Sequence, residues 1–245
     1  MISEKEFDVL VTIEESKVHL SQRDISKKTG YSVGTVNSVL AELDENGFVK
    51  EGVVTDKGYS ALEPYRVKRA IFIAAGFGSR MIPITLNTPK PLVRVKGVRI
   101  IDTMLDAVVK AGIEEIVIVR GYLSEQFDQL IYKYPNITFL ENPAYNESNN
   151  ISSALCARYL IGNSYILEAD IVLKNPELIK KYQYKSNYCG VPCDSTDDWC
   201  LYANKGHITG VSVGGTKGYR MVGISYWTDS DGKKLANCLE KAYSQ

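Results

Sequence analysis

The stretch RAIFIAAGFGSRMIPITLNTPKPL, residues 69–92, decides the fold of most of this 245-residue chain. It opens with an apolar run and passes directly into a loop with glycines at positions 76 and 78. A short apolar run bounded by a glycine turn is typical of a strand buried on both faces. Glycines at this point allow backbone N–H groups to close around phosphate oxygens, and Arg80 adds a forked, permanently charged donor. The stretch therefore predicts a buried strand that leads into an anion-binding loop.

The loop matches neither common nucleotide-binding fingerprint, because it lacks both the GK[ST] of a Walker loop and the third glycine of a dinucleotide fold. Glycine turns also follow many strands that bind nothing, so the loop alone leaves a purely structural role open. Pro89 and Pro91 bracket Lys90 and restrict where its ammonium group points. Together with Arg80, Lys90 is predicted to neutralise a triphosphate and the charge that develops on leaving pyrophosphate. Three further basic residues are predicted to be mostly solvated surface: Arg94, Lys96 and Arg99.

Strands and helices alternate from Val67 onwards, which predicts an α/β domain over residues 67–245. Strands are expected at 69–75, 115–120, 137–140 and 164–169, with shorter ones around 200–204, 208–213 and 221–227. Helices are expected at 99–111, 124–133, 150–160 and 230–243.

Asp170 follows the predicted strand 164–169. The carboxyl end of a parallel strand opens into the ligand crevice, and Mg²⁺ prefers one or two carboxylates together with phosphate oxygens. Asp170 is therefore predicted to hold Mg²⁺, with a turn or a helix cap as the alternative role for an Asp at such a position. Glu168 lies two residues earlier and is expected on the same face of the strand as Asp170. Two roles remain open for it, namely support of the metal site and burial in the sheet.

Residues 1–66 have a different pattern, with short helices and a two-stranded wing. Helical spacing covers 4–14, Ser21 and Ser32 are expected N-caps of two further helices, and Thr55 or Asp56 is the expected cap of a fourth. Gly58 in the first turn weakens that last expectation. The string SQRDISKKTGYSVGTVNSVLAELDENGFV resembles the winged helix-turn-helix of bacterial regulators. The resemblance implies a small winged-helix domain.

DNA binding by residues 1–66 is not favoured. The segment carries eight basic and twelve acidic residues, a net charge of −4, whereas residues 67–245 carry +4. Phosphate contacts supply most non-specific DNA affinity, and the presumed recognition helix from Ser32 to Leu43 has no Lys or Arg. Thr35, Asn37 and Ser38 remain candidates for base contacts. A packing, dimerising or sensing role is preferred, and a homo-oligomer is an open expectation.

The rest of the composition excludes several classes of protein. The longest apolar run is far shorter than the roughly 18 residues of a membrane helix, and the acidic N-terminus is not a signal peptide. Five cysteines at spacings that fit no zinc pattern predict reduced thiols in a cytoplasmic protein without membrane insertion.

The segments AAGFGSRMIPITLNTPKPLVRV, VRGYLSEQF and YILEADIVL together resemble the nucleoside-triphosphate transferases, a family of nucleotidyltransferases. The resemblance implies a Rossmann-like sheet, mixed but mainly parallel, and transfer of a nucleotide to a phosphorylated acceptor with release of pyrophosphate. It assigns catalytic roles to Arg80 and Lys90. It also implies nucleotide contacts from a larger set: Ala74, Ala75, Gly76, Gly78, Ser79, Arg80, Gly121 and Tyr122.

Within that family the sequence is most similar to bacterial CTP:phosphocholine cytidylyltransferases, on the segments NPAYNESNNISSAL, DSTDDWCLYANKGHITGV and GISYWTDSDGKKLANCLEKAY. This similarity implies transfer of CMP from CTP to phosphocholine. Asn149, Asn150 and Ser153 are expected to contact the cytidine or the acceptor phosphate. A quaternary ammonium needs aromatic faces and a carboxylate. The candidates are Trp199, Tyr226 and Trp227, with Asp197 or Asp198.

Similar enzymes carry a second metal-binding Asp shortly after the helix that matches LEKAY, whereas this sequence stops at Gln245. We therefore expect this sequence to be a fragment of a longer protein, since related chains often continue into a choline-kinase-like domain.

Two other functions remain open. One is transfer to a sugar-1-phosphate or another phospho-alcohol, and the other is a DNA-binding regulator that senses a cytidine nucleotide.

Overall fold

The computed structural model of the chain describes residues 1–16, 18–147 and 150–244. They form two compact units. The first consists of Met1–Arg66 together with Tyr182–Tyr184, and the second takes the rest of the chain from Val67. In the part of the chain that the structure describes, no helix is both long and apolar enough to cross a membrane.

Four helices and a two-stranded wing make up the first unit: α1 (Glu4–Glu14), α2 (Gln22–Thr29), α3 (Val33–Glu45), β1 (Val49–Lys50), β2 (Val53–Val54) and α4 (Asp56–Leu62). Helices α2, α3 and α4 begin after Ser21, Ser32 and Thr55, respectively. Each of these side chains accepts the backbone N–H three residues further on. These are N-caps of the kind that the sequence predicts, because a cap depends only on residues within one turn.

Gly58 lies in the first turn of α4, where a glycine lowers helix propensity. A Cβ atom at this position would lie 2.2 Å from the carbonyl oxygen of Phe48 and 2.8 Å from Cγ1 of Val54. The missing side chain therefore allows α4 to approach the wing closely, which the sequence pattern alone did not show.

The core of the first unit is completed by residues that are distant in sequence. The ring of Tyr184 stacks on Tyr65 at a centroid distance of 5.2 Å and lies 5.3 Å from Phe7. The hydroxyls of Tyr65 and Tyr184 both donate to the carbonyl oxygen of Ile2. The backbone N–H of Gln183 donates to the Tyr65 carbonyl at 2.9 Å. Aromatic stacking and these hydrogen bonds attach Tyr182–Tyr184 to the first unit, a contribution that no local pattern predicts.

The second unit contains a six-stranded sheet and one small two-stranded sheet. Its strands are β3 (Arg69–Ile73), β4 (Arg94–Val95), β5 (Val98–Arg99), β6 (Glu115–Arg120), β7 (Ile137–Glu141), β8 (Ser164–Glu168), β9 (Asn187–Asn204) and β10 (His207–Trp227). Strands β4 and β5 form the small sheet, and the large sheet has the order β7-β6-β3-β8-β10-β9. Strands β7, β6, β3 and β8 are parallel, whereas β10 is antiparallel to both of its neighbours. This confirms the predicted mixed, mainly parallel sheet.

Helices cover both faces of the large sheet, namely α5 (Asp102–Lys110), α6 (Asn150–Cys156) and α7 (Asp229–Tyr243). Successive residues of β3 point to opposite faces: Phe72 is buried in the core formed with α5, and Ile71 in the core formed with α7. Burial on both faces explains why β3 and β6 are continuous apolar runs rather than alternating ones.

Three elements differ from the sequence prediction. Residues 124–130 and 158–160 are 3-10 turns rather than α-helix. The short strands expected after residue 200 are parts of one long hairpin, β9–β10, with several register shifts. Arg99 is only 8% exposed, and its Nε atom lies 3.1 Å from both carboxylate oxygens of Asp102. The prediction of a solvated Arg99 was wrong, because this local pair compensates for the loss of water around the buried charge.

Candidate active site

The strand order reverses at β3, because the chain runs from β3 to β6 on one side and later returns to β8 on the other. In open α/β sheets, ligands bind at such a switch point, outside the carboxyl ends of the strands. A cleft of about 250 Å³ lies there. Eight of its lining residues are predicted site residues: Ala74, Gly76, Gly78, Ser79, Arg80, Lys90, Asn150 and Asp170. The other three are Ile73, Pro91 and Glu168.

The two loop glycines have different structural reasons. Gly78 has a φ of +64°, and a Cβ atom there would lie 3.0 Å from the Lys90 Cβ atom and 3.1 Å from Cγ2 of Thr85. It is therefore required by the protein itself. Gly76 has no neighbouring atom within 4 Å of a Cβ position and is exposed to the cleft. The fold therefore does not require a glycine at position 76. A ligand that approaches the backbone closely would require one, because a side chain would block it.

If the loop binds the phosphates of CTP, as the sequence predicts, replacing Gly76 with alanine is expected to raise the KM for CTP roughly tenfold, because a methyl group would then stand between the loop N–H groups and the phosphates. The free energy of unfolding should not fall, and a gain of about 0.4–1 kcal/mol is expected from the stiffer chain. Gly78→Ala is the matched variant and should lose roughly 1–3 kcal/mol of stability, since its backbone is left-handed. Thermal unfolding and CTP titration measure both effects. An unchanged KM for CTP in Gly76→Ala would show that the loop does not bind the phosphates.

Lys90 and Asp170 form an ion pair across the cleft, between Nζ of the lysine and Oδ2 of the aspartate. Their side chains are 25% and 33% exposed, respectively. A pair at this exposure contributes only about 0–1 kcal/mol to stability. Its more important consequence is that an ammonium and a carboxylate are held at the same point of the cleft, where both can interact with a ligand.

Arg80 is exposed at the opening of the cleft. Within residues 1–16, 18–147 and 150–244, no hydrogen bond or ion pair engages its guanidinium group. Its positive charge nevertheless acts on Glu168 together with that of Lys90. A free guanidinium group beside a glycine loop is suited to forked binding of phosphate oxygens.

Glu168, the last residue of β8, brings negative charge to the opposite wall. Burial raises the pKa of its carboxyl group, and the carboxylates of Asp170 and Asp198 raise it further, against the lowering effect of Lys90 and Arg80. Glu168 is exposed to solvent and lines the cleft. The site therefore combines a basic wall at the loop with an acidic wall at the end of β8.

Gly121 and Tyr122 lie beside the loop rather than in the lining of the cleft. The Tyr122 ring is 4.5 Å from that of Phe77, and Tyr145 is 5.4 Å from Phe77. Gly121 allows Tyr145 to approach, since a Cβ atom would be 2.6 Å from the Tyr145 Cβ. Sequence analysis did not single out Phe77 or Tyr145; the signal available was an aromatic residue between two loop glycines.

Ser153 and Ala75 are not in contact with the cleft. Ser153 is 3% exposed, and its hydroxyl accepts a hydrogen bond from Nδ2 of Asn142 at 3.0 Å. This bond holds α6 in place, whereas Asn150 at the start of α6 lines the cleft. Ala75 is buried in the strand-to-loop turn. Asn149 lies outside the described residues.

The four residues predicted to hold a choline group are not brought together. Tyr226 is 1% exposed and packs against Tyr165 in the core on the α5 side of the sheet. Trp227 lies on the opposite face, in the α7 core, and its Nε1–H donates to Ser225. Trp199 is 51% exposed on β9, next to Asp198, which accepts its backbone N–H at 2.8 Å. Trp199 and Asp198 remain exposed on β9, as does the alternative carboxylate Asp197.

The residues that the structure describes around Asp170 do not form a preformed metal centre. In the described part of the chain, no group of three or more His, Cys, Asp or Glu side chains could hold a metal ion. Mg²⁺ is commonly bound by one or two carboxylates while phosphate oxygens and water complete its shell. The accessible carboxylate of Asp170 beside the glycine loop meets the protein's part of that requirement.

The comparisons with known proteins agree with this geometry. Residues 69–198 match the family model for nucleotidyl transferases, and the chain belongs to that family. Residues 2–50 match the model for a winged helix-turn-helix DNA-binding domain, which confirms the predicted fold of the first unit.

Two curated relatives narrow the family further. The 2-aminoethylphosphonate cytidylyltransferase of Lancefieldella rimae is 41% identical over 72% of this chain and 73% of its own length. The choline-phosphate cytidylyltransferase of Streptococcus pneumoniae is 34% identical over 72% of this chain and 77% of its own length. A solved CTP:phosphocholine cytidylyltransferase from Streptococcus pneumoniae superposes with a TM-score of 0.68 at 33% identity, over 73% of this chain and 78% of that one. Within the family, the chain is thus placed among the cytidylyltransferases.

Proposed function

We propose that the second unit transfers CMP from CTP to a small acceptor that carries a phosphate or phosphonate group at one end and an ammonium group at the other. The observation that carries this proposal is the cleft in which Arg80 and Lys90 lie at the loop while Glu168 and Asp170 lie at the end of β8. Both relatives described above act on acceptors of this class. Phosphocholine, the acceptor implied by the sequence, is one member of it, and 2-aminoethylphosphonate is another.

Binding of CTP follows from the loop chemistry. Backbone N–H groups of Gly76, Gly78 and Ser79 are suited to the phosphate oxygens, because nothing on the protein blocks access to Gly76. The amide of Asn150 offers both donors and an acceptor to the cytidine or to the acceptor phosphate. Once phosphate oxygens are present, the Lys90 ammonium has a second anionic partner besides Asp170.

The reaction itself needs little covalent chemistry from the protein. An ionised oxygen of the acceptor's phosphorus group attacks the α-phosphorus of CTP. The bond from the α-phosphorus to its bridging oxygen breaks, and pyrophosphate leaves with that electron pair. No general base and no covalent enzyme intermediate are required. The rate comes from in-line positioning and from the charges of Arg80 and Lys90 beside the leaving group.

Mg²⁺ is part of this proposal, with Asp170 as the residue that would hold it. When bound, the ion withdraws negative charge from the triphosphate oxygens. The ligand set offered by the chain suits this role, since a single accessible carboxylate leaves coordination positions open for phosphate.

A nucleotide-by-acceptor screen tests the proposal. CTP, UTP, GTP and ATP are each combined with 2-aminoethylphosphonate, phosphocholine and glucose 1-phosphate, and pyrophosphate release is measured. We expect turnover with CTP and an amine-bearing acceptor, at least tenfold above any other combination. Preference for glucose 1-phosphate would instead support the sugar-nucleotide alternative, and no pyrophosphate release with any pair would overturn the enzymatic function.

For the first unit, packing, dimerisation or sensing remains preferred to DNA binding. Its fold matches a DNA-binding family, but α3 carries no basic side chain and the segment has a net charge of −4. Because counterion release supplies most of the affinity for duplex DNA, such a surface begins at a disadvantage. The alternative of a DNA-binding regulator that senses a cytidine nucleotide therefore needs evidence of salt-dependent DNA retention.

A further inference from the structure

The acidic wall of the cleft extends from β8 to the neighbouring strand β10. Gly223 of β10 has a φ of +55°, and a Cβ atom there would lie 2.5 Å from Cδ and Oε2 of Glu168. Any other residue at 223 would therefore displace the carboxylate. Gly223 thus maintains the space that the Glu168 side chain occupies at the edge of the cleft.

Two residues of β9 lie close to the same carboxylate. Burial and the negative charges of Glu168 and Asp198 raise the pKa of Tyr188 to about 12, and the Gly223 backbone hydrogen-bonds its hydroxyl. The Tyr188 hydroxyl is therefore neutral at physiological pH. In the described ranges 1–16, 18–147 and 150–244, no ion pair neutralises Glu168 or Asp198. Lys90 and Arg80 act on Glu168 without forming an ion pair with it. The two carboxylates therefore remain able to form charge-assisted hydrogen bonds with a cationic group of the ligand.

We propose that Glu168, Asp198 and Tyr188 form the subsite for the acceptor's ammonium group and that this subsite favours a primary over a quaternary ammonium. The inference rests on the proposed function, since it names the acceptor class within it. A primary ammonium has three N–H donors, which form charge-assisted hydrogen bonds with carboxylates. A quaternary ammonium has none and is recognised chiefly by aromatic faces. Of the three aromatic residues predicted for that purpose, Tyr226 and Trp227 lie in the cores.

The subsite lies in the same cleft as the groups assigned to the reaction. Glu168 ends β8, Asp170 lies in the turn that follows it, and both line the cleft together with Lys90. An ammonium group held at Glu168 would therefore place a small acceptor in the cleft that contains Lys90 and Asp170.

The decisive experiment measures kcat and KM with three matched acceptors. These are 2-aminoethylphosphonate, phosphocholine and propylphosphonate, in which a methyl group replaces the ammonium. The variants are Glu168→Gln and Asp198→Asn, with Tyr188→Phe as a third that keeps the ring. Asp194→Asn serves as the control, because Asp194 is an exposed carboxylate on β9 that is not among the charges acting on Glu168 or Tyr188.

The wild type is expected to prefer 2-aminoethylphosphonate to both other acceptors. Glu168→Gln should raise the KM for 2-aminoethylphosphonate roughly 10- to 100-fold, the range for loss of a hydrogen bond to a charged group. The KM for CTP and the turnover of propylphosphonate should change far less than the KM for 2-aminoethylphosphonate. Asp198→Asn should act in the same direction, and Asp194→Asn should match the wild type.

Three outcomes would overturn the inference while leaving the proposed function intact. They are a wild-type preference for phosphocholine, an unchanged acceptor KM in both Glu168→Gln and Asp198→Asn, and a rise in the KM for CTP without a change in the acceptor KM. The last result would assign Glu168 to the nucleotide side of the cleft. Failure of the proposed function is distinguishable, because the wild type would then release no pyrophosphate with any acceptor.

Discussion

Replacing Lys90 with methionine is expected to lower kcat for cytidylyl transfer about 10³-fold. Methionine keeps the unbranched stem that packs beside Gly78 and removes only the ammonium group. Negative charge moves onto the leaving pyrophosphate in the transition state, so the loss should appear mainly in kcat and less in the KM for CTP. Pyrophosphate release under saturating CTP and acceptor measures the effect.

Stability should be nearly unchanged in this variant, because the Lys90–Asp170 pair is partly exposed and the remaining carboxylate can be hydrated. Lys241→Ala is the matched control, since it removes an exposed lysine from the end of α7. A Lys90→Met enzyme within threefold of wild-type turnover would contradict the role that we assign to the cleft.

Replacing Asp170 with asparagine is expected to reduce turnover by roughly 10³-fold, corresponding to ~4 kcal/mol of transition-state stabilisation. The change removes the negative charge and keeps the shape of the side chain. If Asp170 holds Mg²⁺, the variant should also require a much higher Mg²⁺ concentration for half-maximal rate. A Mg²⁺ titration at fixed CTP, with Asp194→Asn as the control, measures this shift.

The two substitutions differ in their dependence on the metal. Lys90→Met should keep the wild-type Mg²⁺ requirement, whereas Asp170→Asn should not. The increase in activation free energy in the double variant Lys90→Met/Asp170→Asn should be smaller than the sum of the increases in the two single variants, because the two side chains are in contact. An unchanged Mg²⁺ requirement in Asp170→Asn would assign this carboxylate to another task, such as orienting Lys90.

Much of the fold was predictable because its signals are local. Ser21, Ser32 and Thr55 each start a helix through a hydroxyl that accepts an N–H three residues away. The apolar runs of β3 and β6 are flanked by charged residues and followed by glycines. The predicted limits of these two strands were therefore close to the observed ones. The β9–β10 hairpin was predicted only in pieces, since its register shifts and glycines interrupt the alternation on which strand prediction depends.

The candidate site was predictable to the extent that it is continuous in sequence. The loop from Gly76 to Arg80, together with Lys90, lies within a single segment of fewer than twenty residues, and in the structure Lys90 and most of the loop line one cleft. Residues chosen one by one for their chemistry behaved differently. Ser153, Tyr226 and Trp227 have suitable side chains, but each is engaged in the packing of a core or a helix start.

The sequence by itself determined the two units, the alternation of strands and helices, and the basic loop, because these depend on neighbouring residues and on hydrophobic periodicity. Only the tertiary structure decided that Tyr182–Tyr184 complete the first core and that Glu168 lies against Gly223. It also decided that aromatic residues near the end of β10 serve the cores on either side of the sheet. The physical reason is that burial and charge pairing depend on contacts between segments far apart in the chain, which no local pattern records.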